Sequence, residues 1–177
     1  MEGRFLQAAE VAGLRAQATQ AAEQGAAAVF LLEGPLGDPI VLAAGLSSSL
    51  PGVLMGVRIG LGPGGRHPAM LARDIVSLDL VSGGRSALCF APPFGESLAE
   101  AISVCRGLWG TGEFVSDGPL FPVRAAADRA RPAGGRRPPI AFDLTDGTAL
   151  PAALAGLADL LLRPSAAASD QCRMEWV

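Results

Sequence analysis

The stretch from Arg58 to Phe90 constrains the fold more than any other part of the 177-residue chain. Val53 to Gly60 is a short apolar run that ends in a Gly/Pro cluster, which is typical of a buried strand followed by a loop. His67-Pro68 then opens a segment with apolar residues near helical spacing, and Ser82-Gly83-Gly84 ends it where a left-handed cap is expected. Ser86 to Ala91 is a second apolar run. This order predicts a strand, a helix and a parallel strand joined as a crossover.

The same alternation continues on both sides of this stretch. Upstream, Leu6 to Gln24 predicts an amphipathic helix, Ala27 to Leu32 a covered parallel strand, and Ile40 to Ser49 a helix that follows an Asp38 N-cap. Met1 to Phe5 is too short and polar to assign.

Downstream, the pattern predicts further strands and helices, and the fold class is α/β. They are a helix that runs from a Ser97-x-x-Glu100 capping box to Trp109, an extended excursion or hairpin at 110–123, a strand at 140–144, a helix at 148–158, a strand at 160–162 and an edge strand or frayed tail at 172–177.

Four motifs follow one another in the central stretch. They are Arg58-Ile59-Gly60-Leu61-Gly62, His67-Pro68-Ala69 with Leu71-Ala72-Arg73, Leu78-Asp79, and Ser82-Gly83-Gly84-Arg85. In this order they resemble the luciferase-like monooxygenases, which are flavin-dependent and F420-dependent oxidoreductases built on a TIM barrel. Weaker similarity extends upstream over 21–33 and downstream over 98–121.

The resemblance implies a single domain over 1–177 with a TIM-type barrel, but the chain is too short for eight full units. A complete barrel of this type takes about 250 residues. We therefore expect an incomplete, open or shortened (β/α) barrel with a parallel sheet. An open barrel has an unpaired strand edge, so we expect a homodimer or higher oligomer, with a full-length relative as the other candidate partner.

Composition argues against several partners. The net charge of -3 and the pI near 5.1 disfavour nucleic acid. Segment 124–139, which holds the arginines 124, 129, 131, 136 and 137, is predicted as a mobile, solvated loop rather than a polyanion site. There is no apolar run of about 20 residues to span a bilayer and no leader pattern. Cys89, Cys105 and Cys172 lack metal-ligand spacing, so we expect buried or free thiols in the cytoplasm.

Ligands of parallel α/β folds bind at the carboxyl ends of the strands. The resemblance implies that FMN or F420 binds there, with the positions near its ring being Gly60, Gly62, Pro63, Gly64 and Ala91. A rigid turn at Pro63 is the alternative. Thr145, Gly147 and Thr148 belong to a predicted helix N-terminus that suits a phosphate, although Asp146 carries the wrong charge and a plain N-cap turn is the other interpretation.

Two side chains are candidates for acid–base chemistry. His67 is the sole histidine, and its place before Pro68 also suits the start of a helix. Glu33 follows a strand and is predicted either to lie near the ring or to bond a loop backbone. Arg73, Asp79 and Arg85 are expected to form ion pairs away from this end of the barrel.

Two functions remain open at this point. The first is an oxidoreductase or monooxygenase that acts on a small organic molecule, with the cofactor carrying the chemistry. The second is a catalytically degenerate relative that serves as a structural or partner subunit.

Overall fold

Seven strands close into one barrel. The computed structural model describes residues 1–61, 65–127, 129–166 and 170–177. The strands, in chain order, are β1 (Glu2–Leu6), β2 (Ala28–Leu32), β3 (Leu54–Ile59), β4 (Ser86–Phe90), β5 (Phe114–Ser116), β6 (Val123–Ala125), β7 (Ile140–Asp143), β8 (Leu160–Pro164) and β9 (Gln171–Trp176). The barrel order is β1-β2-β3-β4-β7-β8-β9, and β5 pairs with β6 in a separate hairpin.

The helices follow the strands as a shortened TIM-type barrel requires. They are α1 (Val11–Glu23), α2 (Pro39–Ser47), α3 (Pro68–Ser82), α4 (Ser97–Trp109) and α5 (Ala152–Ala155), with one 3-10 turn at Ala133–Gly135. Among the helices in the described ranges, none has both the length and the apolar character that a membrane span requires.

The central crossover is confirmed. Strands β3 and β4 are parallel, with Met55 paired to Ser86 and Ile59 to Phe90. Pro68 occupies the first turn of α3, and Gly83 caps its end with a φ of 69°, a left-handed conformation that glycine adopts without a Cβ penalty. The segment that carries the family resemblance therefore folds as its pattern predicts.

The chain ends differ from expectation, because the first and last strands pair with each other. The unassigned Met1 to Phe5 contributes to β1, so α1 begins at Val11 rather than Leu6. The tail forms β9, which runs antiparallel between β8 and β1. Of the expected alternatives, the open barrel is therefore wrong and the shortened barrel is confirmed, and the argument that dimerisation must cover a free edge is wrong as well.

The side chains of β9 alternate between the barrel interior and solvent. Cys172 and Met174 are buried in the barrel interior, whereas Arg173 is exposed. Glu175 accepts a hydrogen bond from Arg163 Nε on β8 at 2.6 Å and from Arg173 Nη2 at 2.8 Å. This alternation is typical of an antiparallel strand with one wet face.

The barrel interior combines larger apolar side chains with small ones that surround Phe30. Ala28, Ala87 and Ala141 leave room for Phe30, which is fully buried. A Cβ built on Gly56 would lie 2.1 Å from Phe30 Cδ1, so glycine is required at this point of β3. A second, larger cluster packs the outer faces of the strands against the helices.

The predicted excursion is the β5–β6 hairpin, and it is fastened to α4. Glu100 on α4 accepts hydrogen bonds from the backbone N–H groups of Leu120 (3.1 Å) and Phe121 (2.6 Å). A Cβ on Gly118 would lie 2.3 Å from Glu100 Oε1. The predicted capping box is therefore wrong: Glu100 binds the hairpin, and Glu96 stands at the N-cap without a side-chain bond.

Part of the arginine-rich segment is bonded rather than solvated. Arg129 donates to the carbonyl groups of Gly107 (3.0 Å), Leu108 (2.8 Å) and Gly110 (3.1 Å) at the end of α4, where carbonyl groups lack a full set of helix partners. The expectation of a solvated arginine at this position is wrong, while Arg124 and Arg136 are exposed.

Of the three motif residues expected to form ion pairs, Arg73 forms one, with Asp74 at 3.5 Å, whereas Asp79 and Arg85 bond to backbone groups and a hydroxyl instead. Buried Asp79 accepts from Ser86 Oγ (2.7 Å) and from the backbone N–H of Ala133 (2.7 Å). Arg85 donates to the carbonyl groups of Ser47, Leu50 and Val53. These bonds hold the crossover to its neighbours.

Candidate functional site

The carboxyl ends of the six parallel strands meet at one end of the barrel, which we call the mouth. Strand alternation sends every second side chain inward, so the last inward positions of β3 and β7 face the mouth. These positions hold Arg58 and Asp143, which the sequence analysis did not select.

Arg58 and Asp143 form an ion pair inside the mouth. Arg58 Nε lies 2.5 Å from Asp143 Oδ2, and the Asp143 side chain is only 4% exposed, against 28% for Arg58. Asp143 Oδ1 accepts two more bonds, from the N–H (2.9 Å) and the Oγ1 hydroxyl (2.6 Å) of Thr145. The Phe5 ring centroid lies 6.0 Å from the Arg58 guanidinium carbon. The carboxylate is thus fully satisfied and fixes the guanidinium.

The two terminal nitrogens of Arg58 keep free donors. Within the described residues, Nη1 and Nη2 donate to no protein acceptor, since the only hydrogen bond of the guanidinium runs from Nε. A guanidinium presents five N–H donors in a planar fork, and the free edge matches a carbonyl, carboxylate or phosphate oxygen pair. The mouth therefore offers an oriented donor group of positive charge.

Cys89 lies below this pair in the barrel interior. Burial raises the pKa of its thiol well above the usual value, and the nearby Asp143 carboxylate raises it further, against a smaller lowering by Arg58. The thiolate is the reactive form of cysteine, so this thiol is not a nucleophile at neutral pH.

Glu33 and Gly60 are brought together. The Gly60 N–H donates to Glu33 Oε2 at 3.3 Å, with the Glu33 side chain exposed after β2. The structure therefore gives Glu33 the loop-backbone bond that was one of its two interpretations. Ala91 follows β4, is buried, and donates its N–H to the Ile59 carbonyl at 2.9 Å. Gly62, Pro63 and Gly64 lie outside the described residues.

The segment Thr145 to Thr148 is a turn and not the start of a helix. Helix α5 begins at Ala152 and has only four residues, so the expected helix N-terminus is wrong. Thr148 N–H donates to Asp146 Oδ1 at 2.8 Å, and this bond lowers the Asp146 pKa. Gly147 has a φ of 83° and donates to the Leu144 carbonyl. Carboxylates and backbone already use the donors that a phosphate would need here.

His67 is the N-cap of α3. Its Nδ1 accepts a hydrogen bond from the Ala69 N–H at 3.2 Å, and its exposed ring meets Phe121 edge-on at 5.5 Å between centroids. The helix-start interpretation is confirmed, and the contacts of His67 lie on α3 and the hairpin. A catalytic role for His67 stays a prediction.

The sequence carried a signal for the Arg58–Asp143 pair. Leu54, Gly56 and Arg58 alternate along β3, as Ala141 and Asp143 do along β7, so a period-two count puts two opposite charges on the inner face of one barrel. Arg58 was noted only as the first residue of the Arg58-Ile59-Gly60-Leu61-Gly62 motif. Asp143 belongs to none of the motifs that carry the family resemblance.

Comparison with known proteins gives a fold. No protein-family model and no curated protein matches the chain. Solved structures do match, with a TM-score of 0.72 for an F420-dependent secondary alcohol dehydrogenase in complex with an F420-acetone adduct, at 17% identity over 91% of this chain and 57% of that one.

Two further structures show the same likeness. A coenzyme F420-dependent tetrahydromethanopterin reductase from Methanopyrus kandleri has a TM-score of 0.64 at 18% identity, over 81% of this chain and 50% of that one. The oxygenating constituent of 3,6-diketocamphane monooxygenase from Pseudomonas putida, in complex with FMN, has a TM-score of 0.60 at 18% identity, over 73% of this chain and 44% of that one.

The fold is that of the luciferase-like flavin- and F420-dependent barrels, in a shortened form. The resemblance seen in the sequence motifs is thus confirmed at the level of the fold. This chain spans about half the length of the solved structures that it matches.

Proposed function

We propose that the protein is a flavin- or F420-dependent oxidoreductase that acts on a small organic substrate at the barrel mouth. Two observations support the proposal: the shared fold, and the partly exposed Arg58 guanidinium that Asp143 holds with its terminal nitrogens free. The second observation carries it, because it is made on the residues of this chain itself.

The residues of the mouth fit the ring of such a cofactor. A flavin or deazaflavin ring has an edge of carbonyl and imide groups that gains negative charge on reduction, and a fixed guanidinium stabilises charge of that sign. Arg58 would bind this edge, and Phe5 below it provides an apolar contact. The side chain of Ala91 is a single methyl group, so it leaves space at the end of β4.

The residues expected to hold the phosphate do not fit it equally well. The Thr145 and Thr148 donors are bonded to Asp143 and Asp146, and two carboxylates would repel a phosphate at this turn. We therefore propose that 145–148 positions Arg58 through Asp143, rather than binding the phosphate of FMN or F420.

The protein would supply orientation and charge, while the bound cofactor would supply hydride transfer or oxygen activation. Asp143 fixes the guanidinium plane, because Thr145 holds the second oxygen of the carboxylate. Glu33 holds the backbone at Gly60, where β3 ends. His67 stays the candidate acid–base residue, with Nε2 as the ring nitrogen that is not used for capping.

Titration of the purified protein with FMN and with F420, followed by fluorescence, tests the proposal. Saturable quenching by one of them is expected, and Arg58→Met should weaken that binding at least tenfold. The matched control is Arg173→Met, which removes an exposed arginine from the outer face of β9. If the folded protein binds neither cofactor, the oxidoreductase proposal fails and the non-catalytic subunit hypothesis takes its place.

We also propose that the chain forms a homodimer in the cytoplasm. The support for a dimer is an apolar surface on the adjacent helices α2 and α3, where Val41, Met70, Leu80 and Val81 are between 46% and 67% exposed. The support for the cytoplasm is that Cys89, Cys105 and Cys172 are all unpaired.

A further inference from the structure

All the carboxamide side chains of this protein line one groove. The chain contains five glutamines and no asparagine. Gln7, Gln17, Gln20, Gln24 and Gln171 all border a single cavity of about 680 Å³ between α1, the end of β1 and the start of β9. We call this cavity the glutamine groove. Glutamines without a shared role would be spread over the surface. Their position around one cavity therefore suggests a common function.

The volume and the lining residues of the groove suit a small molecule. Its volume lies within the range of about 300–1,000 Å³ that is usual for ligand sites. Its apolar lining residues include Phe5 and Leu32, which are both partly buried. Phe5 also contacts Arg58, so the groove adjoins the mouth but is built from different polar residues.

Arg4 organises two of the five carboxamides. Arg4 Nη1 donates to Asp170 Oδ2 at 2.9 Å, and Nη2 donates to Gln24 Oε1 at 2.7 Å. With its amide turned to match its surroundings, Gln171 accepts from both nitrogens at 2.9 and 2.7 Å. Because both amide oxygens face Arg4, the NH2 groups of Gln24 and Gln171 remain as donors for a ligand.

The other three glutamines are unengaged. The side chains of Gln7, Gln17 and Gln20 make no hydrogen bond to any residue in the described part of the chain. Gln17, Gln20 and Gln24 lie three and four positions apart on α1, so they share one face of the helix. Each free carboxamide offers two N–H donors and one carbonyl acceptor.

The charge of the groove excludes strongly ionic ligands. Arg4 is neutralised by Asp170 and surrounded by carbonyl oxygens, so it has little attraction left for an anion, and Asp170 repels one. A cation finds no unpaired carboxylate among the described lining residues, because Asp170 is paired with Arg4. Hydroxyl groups both donate and accept hydrogen bonds, as carboxamides do.

We propose that the glutamine groove is a binding site for a neutral polyhydroxylated molecule, such as a sugar or sugar alcohol. The carboxamides would pair with its hydroxyl groups, and the partly buried lining residues Phe5 and Leu32 would pack against its carbon skeleton. This site does not depend on the oxidoreductase proposal, since none of its polar residues lies in the Arg58–Asp143 pair.

The composition gives the proposal a direct measurement. Because the chain has no asparagine, every carboxamide NH2 signal in a nitrogen-15 correlation spectrum comes from a glutamine that borders the groove. Titration with ribitol, glucose and maltose should shift these five NH2 pairs saturably, while the backbone signals of the β5–β6 hairpin stay in place. Sodium phosphate and tetramethylammonium chloride serve as anionic and cationic probes.

A variant with two exposed glutamines replaced, Gln17→Met with Gln20→Met, keeps the side-chain length and removes the hydrogen bonds. Binding should weaken at least tenfold, while Arg15→Met, on the same helix but outside the groove, should leave it unchanged. The proposal fails if no polyol shifts the NH2 signals, if phosphate or the ammonium salt shifts them instead, or if the double variant binds as tightly as the native protein.

Discussion

Arg58 and Asp143 bond to each other although a third strand separates the two strands that carry them. They lie on β3 and β7, and β4 runs between the two. The small residues Cys89 and Ala91 on the intervening strand and just beyond it leave the space for this contact. A buried carboxylate in this setting depends on its partner, because removing the partner leaves a charge without compensation.

Arg58→Met should lower the free energy of unfolding by about 2–4 kcal/mol, a little less than a fully buried pair would because Arg58 is partly exposed. Adding Asp143→Asn to this variant should recover part of the loss, since it removes the charge while keeping an oxygen for Thr145. Urea unfolding of both single variants and the double variant measures the coupling. Additive losses would contradict a direct pairing.

Gly56→Ala should lower the free energy of unfolding by about 1–3 kcal/mol, the usual cost of overpacking a core. The new methyl group would lie 2.1 Å from a ring carbon of Phe30, and the closed barrel gives the ring nowhere to move. Gly45→Ala is the matched control on α2, where a Cβ meets nothing within 4 Å, and it should stabilise by about 0.5–1 kcal/mol. Thermal unfolding of the two variants measures both changes in stability. Equal changes would contradict the close contact between residue 56 and Phe30.

Glu100→Ala should release the β5–β6 hairpin and change the surroundings of His67. Glu100 holds the N–H groups of Leu120 and Phe121, and the Phe121 ring contacts His67 at 5.5 Å. Because His67 is the sole histidine, its ring proton signals in NMR spectra need no assignment and should move in this variant. Ser103→Ala, on an exposed position of the same helix, should leave them unchanged.

Stability should fall at high pH because of the buried thiols. Burial raises the pKa of Cys105 from 9.0 to about 12 and that of Cys172 to about 12. Between pH 9 and 12 the unfolded chain has lost these protons while the folded protein keeps them, so the free energy of unfolding decreases as pH rises through this window. Cys105→Ala, compared with the native protein by urea unfolding at several pH values, should show a shallower decrease. An unchanged slope would show that other groups cause it.

Leu80→Lys should dissociate the proposed homodimer. Leu80 is 52% exposed on α3 beside Val81, and a charge at the centre of an apolar interface is costly to bury. Sedimentation velocity would then report a monomer at concentrations where the native chain is a dimer. Val115→Lys on the hairpin, 49% exposed, is the control that should keep the native mass.

Much of the architecture could be predicted from the sequence, because strong local signals marked it. The apolar runs of β2, β3 and β4, the Asp38 cap of α2 and the left-handed Gly83 each have a short-range physical cause. The closure of the barrel could not be predicted in this way. It depends on pairing between Glu2 and Arg173, and neither segment has enough apolar residues to reveal a strand on its own.

The candidate site was also hard to predict, because it too depends on contacts between residues that are far apart in sequence. Thr145 to Thr148 has the composition of a helix start, yet the helix that follows is displaced to Ala152 and the donors are used by neighbouring carboxylates. The clustering of the five glutamines is likewise invisible along the chain, because Gln171 reaches the others only when β9 pairs with β1.

The position of β9 has a kinetic consequence. Since Gly3 pairs with Cys172, the barrel cannot close until the segment that contains residue 172 has been synthesised. Contacts between residues so far apart in sequence raise contact order, which slows folding. Until β9 is available, the facing edges of β1 and β8 are unpaired and exposed to competing strands.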